Sequence, residues 1–378
     1  MILHVISSLN PKDGGPPSGL KSLVPALNNL GYSNEVACLD NIDSAWLNDY
    51  KFQVHALGPS YLNYKLSCEA NRWFENNIEK YTFIIIHGIW QYHSVLSQLF
   101  CKKFKKNYFI FSHGMLDPWF KSKHPFKHIK KKIYWNFFER KVFVNAKSLL
   151  YTSQREGELA AQTFPELQSL KSINVGYGIS DLNKNPEELK SNFFRTYPFL
   201  KNKNIFLFTG RITRKKGLDV LIPSFINVFK NDPNSTLVII GPDNENLMPG
   251  LMKNASNQMN IHYLGWVQED IKMGAYASAA IFVLPSHSEN WGAVIAEALM
   301  FSLPVITTRH INTYELIERY RCGLIADANR RSLTNEFINW VNLPNERKIK
   351  MQLRARECFE NSFEVIGFAK RLMKLLND

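Results

Sequence analysis

Short apolar segments alternate with segments whose apolar residues recur at helical spacing along most of the chain. This alternation is typical of β–α–β units stacked on a parallel sheet, so it predicts two successive α/β halves. The predicted strands of the first half are residues 3–7, 34–39, 83–87, 108–112, 148–151 and 172–174. Those of the second half are residues 205–209, 236–240, 261–263, 280–284, 304–307 and 322–325.

Two further segments differ from this alternation. Residues 180–203 are polar, contain Pro186 and Pro198 and have few aliphatic side chains, which predicts a linker between the halves. Residues 365–376 place apolar side chains at helical spacing with lysine and arginine between them. This pattern predicts an amphipathic helix at the end of the chain.

The amino-acid composition mainly excludes classes of protein and of site. Of the 378 residues, 45% are hydrophobic and 21% are charged, which suits a folded protein with more than one core. No apolar segment approaches the roughly 18 residues that span a bilayer, and the N-terminus lacks the basic start of a signal peptide, so we expect a cytoplasmic protein. Five scattered cysteines without metal-ligand spacing predict buried free thiols: Cys38, Cys68, Cys101, Cys322 and Cys358.

The net charge of +13 is concentrated in residues 102–147, where thirteen basic residues accompany only Asp117 and Glu139. Aromatic residues are interleaved with the basic ones: Trp119, Phe120, Phe126, Tyr134, Trp135, Phe137 and Phe138. This mixture suits an anionic membrane surface, an anionic glycolipid or a nucleic acid. A solvated basic face with its aromatic side chains in the core fits the pattern equally well.

The loop after the first strand, residues 10–19, contains Gly14 and Gly15 and precedes a helical pattern. Two glycines there allow the backbone to approach a phosphate or a sugar at the start of the helix. A plain tight turn is an equally good interpretation. The loop has neither the Gly-x-Gly-x-x-Gly spacing of dinucleotide-binding folds nor the Gly-Lys-Ser/Thr of a P-loop.

Residues 209–218 place Arg211 and Lys216 on one loop between a strand and a helix, with Gly210 and Gly217 beside them. Two cations at a helix start form a receptor for a diphosphate, and they stabilise it most when it leaves with added charge. A solvated basic loop is the alternative.

Residues 286–298 follow the strand 280–284, and we expect a helix to begin near Asn290. Glu289 precedes this helix and Glu297 lies eight residues later, at most ~12 Å along its axis at 1.5 Å per residue. Two carboxylates that act on one bond stand ~5 to 10 Å apart, so this spacing better suits the two ends of an elongated ligand. The alternative to a ligand site is that Glu289 is a helix-start charge favoured by the helix dipole and that Glu297 is an exposed or paired carboxylate.

His113 and Asp117 come just after the buried strand 108–112, where polar side chains often bind ligands in parallel sheets. A histidine whose hydrogen bonds are satisfied within the core is the alternative for His113. His87 and His93 lie near the end of the preceding strand, but no compact ligand motif supports a metal site, and none is predicted.

Taken together, these segments resemble the retaining nucleotide-sugar glycosyltransferases of family 4. The most specific element is Glu-x7-Glu, met by Glu289 and Glu297 within Ser-Glu-Asn-Trp-Gly. Around it lie Gly-Arg-x4-Lys-Gly with Arg211 and Lys216, the Gly-Gly loop, the His-Gly element of His113 and the segment 262–267. The run from His113 to Trp119 also resembles a bacterial subgroup that builds surface polysaccharides and exopolysaccharides.

The resemblance implies the GT-B fold, two facing Rossmann-like domains with a cleft between them. Residues 1–178 would bind the acceptor, residues 179–361 the donor, and the helix 362–378 would cross back to the first domain. The implied catalytic residues are His113, Glu289, Arg211 and Lys216, and Asp117 is a candidate for acceptor contact. The implied donor-binding residues are Gly14, Gly15, Gly210, Arg211, Lys216, Leu264, Trp266, Val267, Glu289, Asn290, Trp291, Gly292, Ala293 and Glu297.

The implied reaction transfers a hexose from a UDP sugar, or alternatively a GDP sugar, to a saccharide or lipid-linked saccharide. No metal is expected, because Arg211 and Lys216 supply the positive charge and no Asp-x-Asp motif is present. An epimerase or hydrolase acting on a nucleotide sugar is the second hypothesis, and a basic nucleic-acid-binding protein is the third. The basic region would hold a cytoplasmic transferase at the inner face of the plasma membrane.

Overall fold

The computed structural model describes residues 1–118, 125–253 and 260–377, and for residues 125–128 it describes the backbone alone. The chain divides into two compact units. The first comprises Met1–Ser180 together with the C-terminal segment from Val365, and the second comprises Asp181–Glu364.

Within its described residues, the first unit contains a parallel sheet in the order β3-β2-β1-β4-β5-β6-β7. Its core strands are mostly apolar on both faces, as expected for a sheet covered by helices on two sides, although His4 in β1 and His87 in β4 are buried polar residues. The half-buried edge strand β3 was not predicted, because it is short and has no apolar run. The strands are β1 Ile2–Ile6, β2 Asn34–Cys38, β3 Val54–Ala56, β4 Phe83–His87, β5 Tyr108–Phe111, β6 Ser148–Tyr151 and β7 Ser172–Asn174.

Helices connect these strands. Residues Trp135–Glu139 form a π-helical turn between α4 and α5, so the basic region is one nearly continuous helix from Pro125 onward. The helices are α1 Gly15–Asn29, α2 Cys68–Asn77, α3 Tyr92–Lys103, α4 Pro125–Tyr134, α5 Arg140–Val144 and α6 Gln154–Thr163. The expectation of five buried thiols was wrong for one residue, since Cys68 at the start of α2 is exposed.

The second unit contains a parallel sheet in the order β10-β9-β8-β11-β12-β13 within its described residues. The strands are β8 Asn204–Thr209, β9 Ser235–Ile240, β10 Ile261–Gly265, β11 Ile281–Leu284, β12 Val305–Thr308 and β13 Gly323–Ala326. The helices are α7 Pro186–Thr196, α8 Leu218–Phe229, α9 Met248–Met252, α10 Glu269–Ser278, α11 Ala293–Met300, α12 Tyr314–Tyr320, α13 Arg330–Asn342 and α14 Asn345–Cys358. The predicted α/β fold with two Rossmann-like halves is confirmed.

The linker predicted over residues 180–203 was wrong for most of its length, because α7 occupies it. Asn185 caps this helix by accepting from Glu187 N–H, and Pro186 takes the first helical position, where a missing N–H costs nothing. Helix α7 packs closely on α10, since a Cβ at Gly274 would lie only 2.3 Å from the Leu189 carbonyl oxygen. The polar stretch is therefore part of the second unit.

The predicted terminal amphipathic helix is confirmed as α15, Val365–Asn377. It packs against α1, and its Arg371 Nε donates to the Val175 carbonyl oxygen at 2.9 Å. Among the residues that the structure describes, none of the helices combines the length and the apolar composition needed to cross a bilayer.

Candidate functional site

The carboxyl ends of β8, β9 and β10 approach one another through glycines. Gly210 N–H donates to the Ile240 carbonyl oxygen at 2.9 Å, and Gly241 N–H donates to that of Gly265 at 2.8 Å. A Cβ on Gly241 would lie 1.9 Å from the Gly210 carbonyl oxygen, and its φ of +146° also disfavours any side chain. Gly241 was not singled out in the sequence, although its position directly after a predicted strand was an available signal.

The loop that carries Arg211 and Lys216 lies against the end of β11. Gly217 makes this approach, since at φ +73° its missing Cβ would stand 2.0 Å from the Pro285 carbonyl oxygen. Lys216 Nζ consequently donates to the Glu289 carboxylate, and the two side chains are 17% and 21% exposed. The structure thus brings together two predicted site residues from different loops, while Arg211 is exposed on the first of them.

The loop after β12 holds the backbone of Glu289 in place. Glu289 N–H donates to the His310 carbonyl oxygen at 3.0 Å, and Asn312 N–H donates to the Glu289 carbonyl oxygen at 3.1 Å. Asn312 Nδ2 also donates to Asn290 Oδ1 at 3.0 Å. Sequence reasoning missed Asn312, yet it follows a predicted strand end, the same position that indicated the other site residues.

Helix α11 begins at Ala293 and not near Asn290 as predicted. The difference arises because Gly292, at φ +71°, occupies the N-cap position in the left-handed region. Trp291 is buried beside Phe363, with ring centroids 5.3 Å apart, and Thr313 Oγ1 donates to its carbonyl oxygen at 3.1 Å. The loop before the helix is therefore fixed by packing as well as by hydrogen bonds.

Glu297, inside α11, has a partner on each carboxylate oxygen. Lys272 Nζ donates to Oε1 at 3.0 Å, and the Tyr276 hydroxyl donates to Oε2 at 2.9 Å. The same hydroxyl is hydrogen-bonded to Thr209 Oγ1, at the end of β8 and directly before Gly210. A network therefore joins the Arg211 and Lys216 loop to the second glutamate of the motif.

Two residues of this network were not predicted. Lys272 and Tyr276 are four residues apart on α10, a spacing that places both on one face, but that alone is a weak signal. Burial raises the pKa of Tyr276 well above its ordinary value, and the Glu297 charge raises it further. Burial acts to lower the pKa of Lys272, but the carboxylates of Glu297 and Glu269 outweigh it and raise the pKa, so Lys272 is charged.

The implied donor-binding residues Leu264, Trp266 and Val267 lie at the end of β10 and just after it, at the edge of the second sheet. Trp266 is 72% exposed there, and Leu264 and Val267 are half-buried. Gly265 accepts the hydrogen bond from Gly241, so the segment starts beside the end of β9.

In the first unit, His113 follows β5 with φ +51°, a left-handed conformation uncommon for a residue with a side chain. Its ring stacks on Phe111, with centroids 4.4 Å apart and 6° between the planes, and meets the Tyr177 ring edge-on at 5.5 Å. Its Nε2 lies 3.0 Å from His87 Nδ1. Burial lowers the pKa of His113 to about 3, so the ring is neutral near pH 7.

Glu156 on α6 fixes the loop around His113. Its Oε1 accepts from the Ser112 hydroxyl at 2.7 Å and from Gly114 N–H at 2.6 Å, which are the two residues flanking His113. Its Oε2 accepts from the N–H and the hydroxyl of Thr152 at 2.8 and 2.7 Å. The sequence gives Glu156 only the spacing of a helix-capping residue after Ser153, so this role was missed.

The other predicted site residues of the first unit are Gly14, Gly15 and Asp117. Helix α1 begins at Gly15 after Gly14 at φ +103°, but Pro16 and Pro17 follow and carry no N–H, which leaves fewer amides for an anion than predicted. Asp117 is half-buried, and its N–H donates to the Gly114 carbonyl oxygen at 3.2 Å. No group of metal-ligating side chains that could hold a metal ion occurs among the described residues.

The apolar side chains of the basic region are divided between the core and the surface. Trp135 is buried and donates to Glu166 at 2.6 Å, whereas Ile133 and Phe137 are 56% and 67% exposed. Glu139 is buried and accepts from Trp90 N–H and the Ser94 hydroxyl, so it does not neutralise the surface lysines. Trp119, Phe120, Lys121 and Lys123 lie outside the described residues, as do the side chains of Phe126 and Lys127.

Comparison with known proteins agrees with this architecture. Residues 190–357 match the family model of glycosyl transferases group 1. A putative glycosyltransferase, YtcC of Bacillus subtilis (strain 168), is 25% identical over 62% of this chain and 60% of its own length. The capsular polysaccharide biosynthesis glycosyltransferase CapM of Staphylococcus aureus is 28% identical over 44% of each chain. The matched segments thus span 44–60% of the length of these two curated relatives.

Two solved structures are similar over the whole chain. Anabaena Alr3699/HepE in complex with UDP and glucose has a TM-score of 0.76 and 17% identity, covering 100% of this chain and 99% of that one. A glycosyltransferase from Rickettsia africae ESF-5 has a TM-score of 0.77 and 17% identity, covering 100% and 97%. The chain therefore has the GT-B fold, and its residues 190–357 carry the sequence pattern of glycosyl transferases group 1.

Proposed function

We propose that this protein is a retaining glycosyltransferase of polysaccharide biosynthesis. It transfers a hexose from a nucleoside diphosphate sugar, a UDP sugar in first place and a GDP sugar as the alternative, to a saccharide or lipid-linked saccharide. The observation that carries the proposal is the convergence of Lys216, Glu289 and Glu297 on the carboxyl ends of β8 and β11. Ligands of parallel α/β sheets bind at this edge.

The donor-site chemistry follows from charge. Arg211 and Lys216 bind the diphosphate, which gains negative charge as the anomeric C–O bond breaks, so these cations stabilise the transition state more than the ground state. They supply the positive charge that a divalent metal supplies in other transferases. Lys216 is paired with Glu289, and the incoming diphosphate shares this cation.

The remaining donor contacts complete the proposal. Glu297 accepts from the ribose hydroxyls, and the backbone of residues 264–267 binds the base. Glu289, Asn290 and the amides of residues 291–293 bind the sugar. Gly14, Gly15, His113 and Asp117, which belong to the first unit, keep the roles predicted from the sequence.

Retention of configuration needs either a covalent carboxylate or attack from the leaving-group side. Glu289 is paired with Lys216, which favours a role in holding charge over that of a nucleophile. The acceptor oxygen therefore bonds to the anomeric carbon on the face that the phosphate leaves. The acceptor hydroxyl gives its proton to the departing phosphate oxygen.

Known proteins support the substrate class. The structurally similar Anabaena protein was solved with UDP and with UDP-glucose, and CapM is named for capsular polysaccharide biosynthesis. A structure described as a putative UDP-N-acetylglucosamine 2-epimerase from Listeria monocytogenes shares the fold at a TM-score of 0.67. The fold is thus compatible with the epimerase hypothesis as well, and only the product separates the two.

The deciding experiment measures the thermal shift with UDP, GDP, ADP and dTDP in the presence of EDTA. We expect one nucleotide, UDP first, to raise the melting temperature of the wild type but not of Glu297→Ala. Glu346→Ala, at an exposed position of the same unit, is the matched control and should keep the shift. A shift that requires divalent metal contradicts the metal independence, and no shift with any nucleotide contradicts the donor site.

The product assay follows with the nucleotide sugar of the preferred base. Sugar linked to an added saccharide acceptor supports transfer, whereas an isomerised or hydrolysed donor without acceptor dependence supports the epimerase or hydrolase. Salt-sensitive binding of DNA or RNA without any nucleotide shift supports the third hypothesis.

We also propose that α4 and the π-helical turn bind the anionic inner face of the plasma membrane. Ile129, Ile133 and Phe137 recur every four residues, are 55%, 56% and 67% exposed, and lie among Lys130, Lys131 and Lys132. Exposed apolar side chains flanked by lysines are typical of helices that lie in a bilayer interface.

Sedimentation with vesicles of phosphatidylglycerol and phosphatidylcholine tests this contact. We expect binding that falls with added salt and is weakened in Ile133→Asp. Ile349→Asp on α14, whose side chain is 55% exposed, is the matched control and should bind like the wild type. Equal binding to pure phosphatidylcholine, or no binding at all, contradicts the proposal.

A further inference from the structure

Three histidines of the first unit form a row on neighbouring strands. His4 lies on β1, His87 ends β4 and His113 follows β5, and these strands are adjacent in the order β1-β4-β5. His4 Nδ1 lies 3.0 Å from His87 Nε2, and His87 Nδ1 lies 3.0 Å from His113 Nε2. Both nitrogens of His87 therefore have an imidazole partner, and within each pair one ring donates while the other accepts.

Asn34 stands at the buried end of the row. It pairs with Ile2 in the parallel register of β1 and β2, which puts its side chain on the same face as that of His4. Its Nδ2 is surrounded by three acceptors, the carbonyl oxygens of Val24 and Tyr32 and the side-chain oxygen of Asn28, at 2.9 to 3.2 Å. These acceptors fix which end of the amide is nitrogen.

Asn34 Oδ1 and His4 Nε2 are the two polar atoms left over at this point. Both are buried and have no hydrogen bond of ordinary geometry among the described residues. Burial lowers the pKa of His4, and the Asn34 side chain acts in the opposite direction and raises this pKa, as an acceptor near the ring does. A hydrogen bond between these two atoms puts the proton of His4 on Nε2, since an amide oxygen only accepts.

The polarity of the row follows from this first bond. Burial lowers the pKa of His4 and His113 to about 3 and that of His87 well below its ordinary value, so each ring carries one proton near pH 7. His4 Nδ1 then accepts from His87 Nε2, and His87 Nδ1 accepts from His113 Nε2. His113 is left with an unprotonated Nδ1.

We infer that Asn34, His4 and His87 are positioning residues that make His113 present Nδ1 as a hydrogen-bond acceptor to a substrate hydroxyl. The inference rests on the proposed function, in which His113 is a catalytic residue. An unprotonated nitrogen selects an O–H or N–H group and rejects a phosphate oxygen, which has no hydrogen to give. Glu156 fixes the backbone of the loop, and the row fixes the tautomer of the ring.

Nitrogen NMR of the full chain, labelled with nitrogen-15 at histidine, reads the tautomers directly. Single substitutions of His4, His87 and His113 by glutamine assign their signals. We expect all three rings to carry the proton on Nε2 in the wild type, and Asn34→Leu to place a proton on His113 Nδ1 in part of the molecules. A proton on His113 Nδ1 in the wild type contradicts the inference whether or not the enzyme is active.

Kinetics provide the second test. His87→Leu breaks the row and should lower kcat by about tenfold to a hundredfold, the scale for losing the partner that orients an active-site imidazole, with the KM for the donor unchanged. His93→Leu is the matched control: His93 is as buried, and its Nε2 donates to the His87 carbonyl oxygen at 3.0 Å, but its ring is outside the row. It should keep its kcat.

The outcomes separate this inference from the proposed function. A folded His87→Leu variant with wild-type kcat contradicts the inference, as does an equal loss in His93→Leu. If His87→Leu does not fold, the tautomers of the wild type decide. The expected tautomers in a protein that transfers no sugar support the row and contradict the proposed function.

Discussion

Lys216 and Glu289 are in contact although 73 residues separate them in the chain. Lys216 ends a loop that begins at β8, and Glu289 lies on the loop that follows β11, the neighbouring strand. The contact forms because Gly217 lets the first loop lie against the Pro285 carbonyl oxygen and because the loop after β12 holds the backbone of Glu289. The pair joins the cation proposed for the diphosphate to the carboxylate proposed for the sugar.

Removing either partner of this pair should abolish most of the transfer activity. Lys216→Met and Glu289→Gln are each expected to lower kcat/KM by a hundredfold or more, the scale for losing one preorganised electrostatic contact in a transition state. The effect on folding stability should be about 1 to 3 kcal/mol, because the pair is largely buried. Lys184→Met, which breaks an exposed pair with Asp270, is the control and should retain activity. Near-normal turnover in both site variants would refute the assignment.

Tyr276→Phe should weaken nucleotide binding without removing any group proposed to touch the nucleotide. The change leaves Glu297 Oε2 without the donor that orients it, and it cuts the link to Thr209. We expect about 1 to 3 kcal/mol less stability and a smaller thermal shift with the preferred nucleotide. Tyr81→Phe, which removes a buried hydroxyl bonded to Glu35 in the first unit, should leave that shift unchanged. Equal shifts in both variants would show that the network does not orient Glu297.

Glu156→Gln should reduce turnover through the His113 loop. The carboxylate accepts from four donors, two on each oxygen. In glutamine an amide nitrogen replaces one oxygen, and because this nitrogen is itself a donor, it cannot accept from the two donors on that side. A loss of about 1 to 3 kcal/mol in stability and a lower kcat are expected, with the nucleotide shift retained because the change is in the first unit. Glu158→Gln, exposed on the same helix, is the control. An unchanged kcat in a folded Glu156→Gln variant would rule out this role.

The free energy of unfolding should fall as the pH drops from about 6.5 to 4. Burial lowers the pKa of His4 to about 3 and that of His93 to about 4, whereas the unfolded chain takes up these protons near 6.5. The unfolded state thus binds more protons in this window, at up to about 1.4 kcal/mol per pH unit for each histidine. Urea unfolding at a series of pH values measures the slope, which His93→Leu should reduce.

Glu139 opposes this trend over part of the range. Burial raises its pKa to about 7 from an ordinary 4.5, so the folded state takes up a proton first as the pH falls from 7 to 4.5, and that uptake stabilises it. Glu139→Gln should therefore steepen the loss of stability between pH 7 and 4.5 and leave the slope below 4.5 unchanged. A slope unaffected in both ranges would mean that Glu139 is ionised in the folded protein.

The sequence by itself determined the terminal helix and the strands of both sheets other than the short edge strand β3. These elements are buried runs of apolar residues or an amphipathic repeat, and such patterns depend on neighbours along the chain. The residues just after the strands, among them Arg211, Lys216 and Glu289, were also predictable, because a parallel sheet collects the ends of its strands at one edge. Helix α7 was missed, although Asn185 and Pro186 together form a recognisable helix start.

Only the tertiary structure decided how side chains distant in sequence are paired. The local sequence around Tyr276 does not indicate its role, because its partners Thr209 and Glu297 are brought beside it only when β8 and α11 fold together. Glu156 has the spacing of a capping residue, yet folding turns its carboxylate to the loop of His113. The tautomer inferred for His113 depends on an amide three strands away. Hydrogen bonds are directional and form between groups brought together by packing, so their partners are set by the sheet order and not by local sequence.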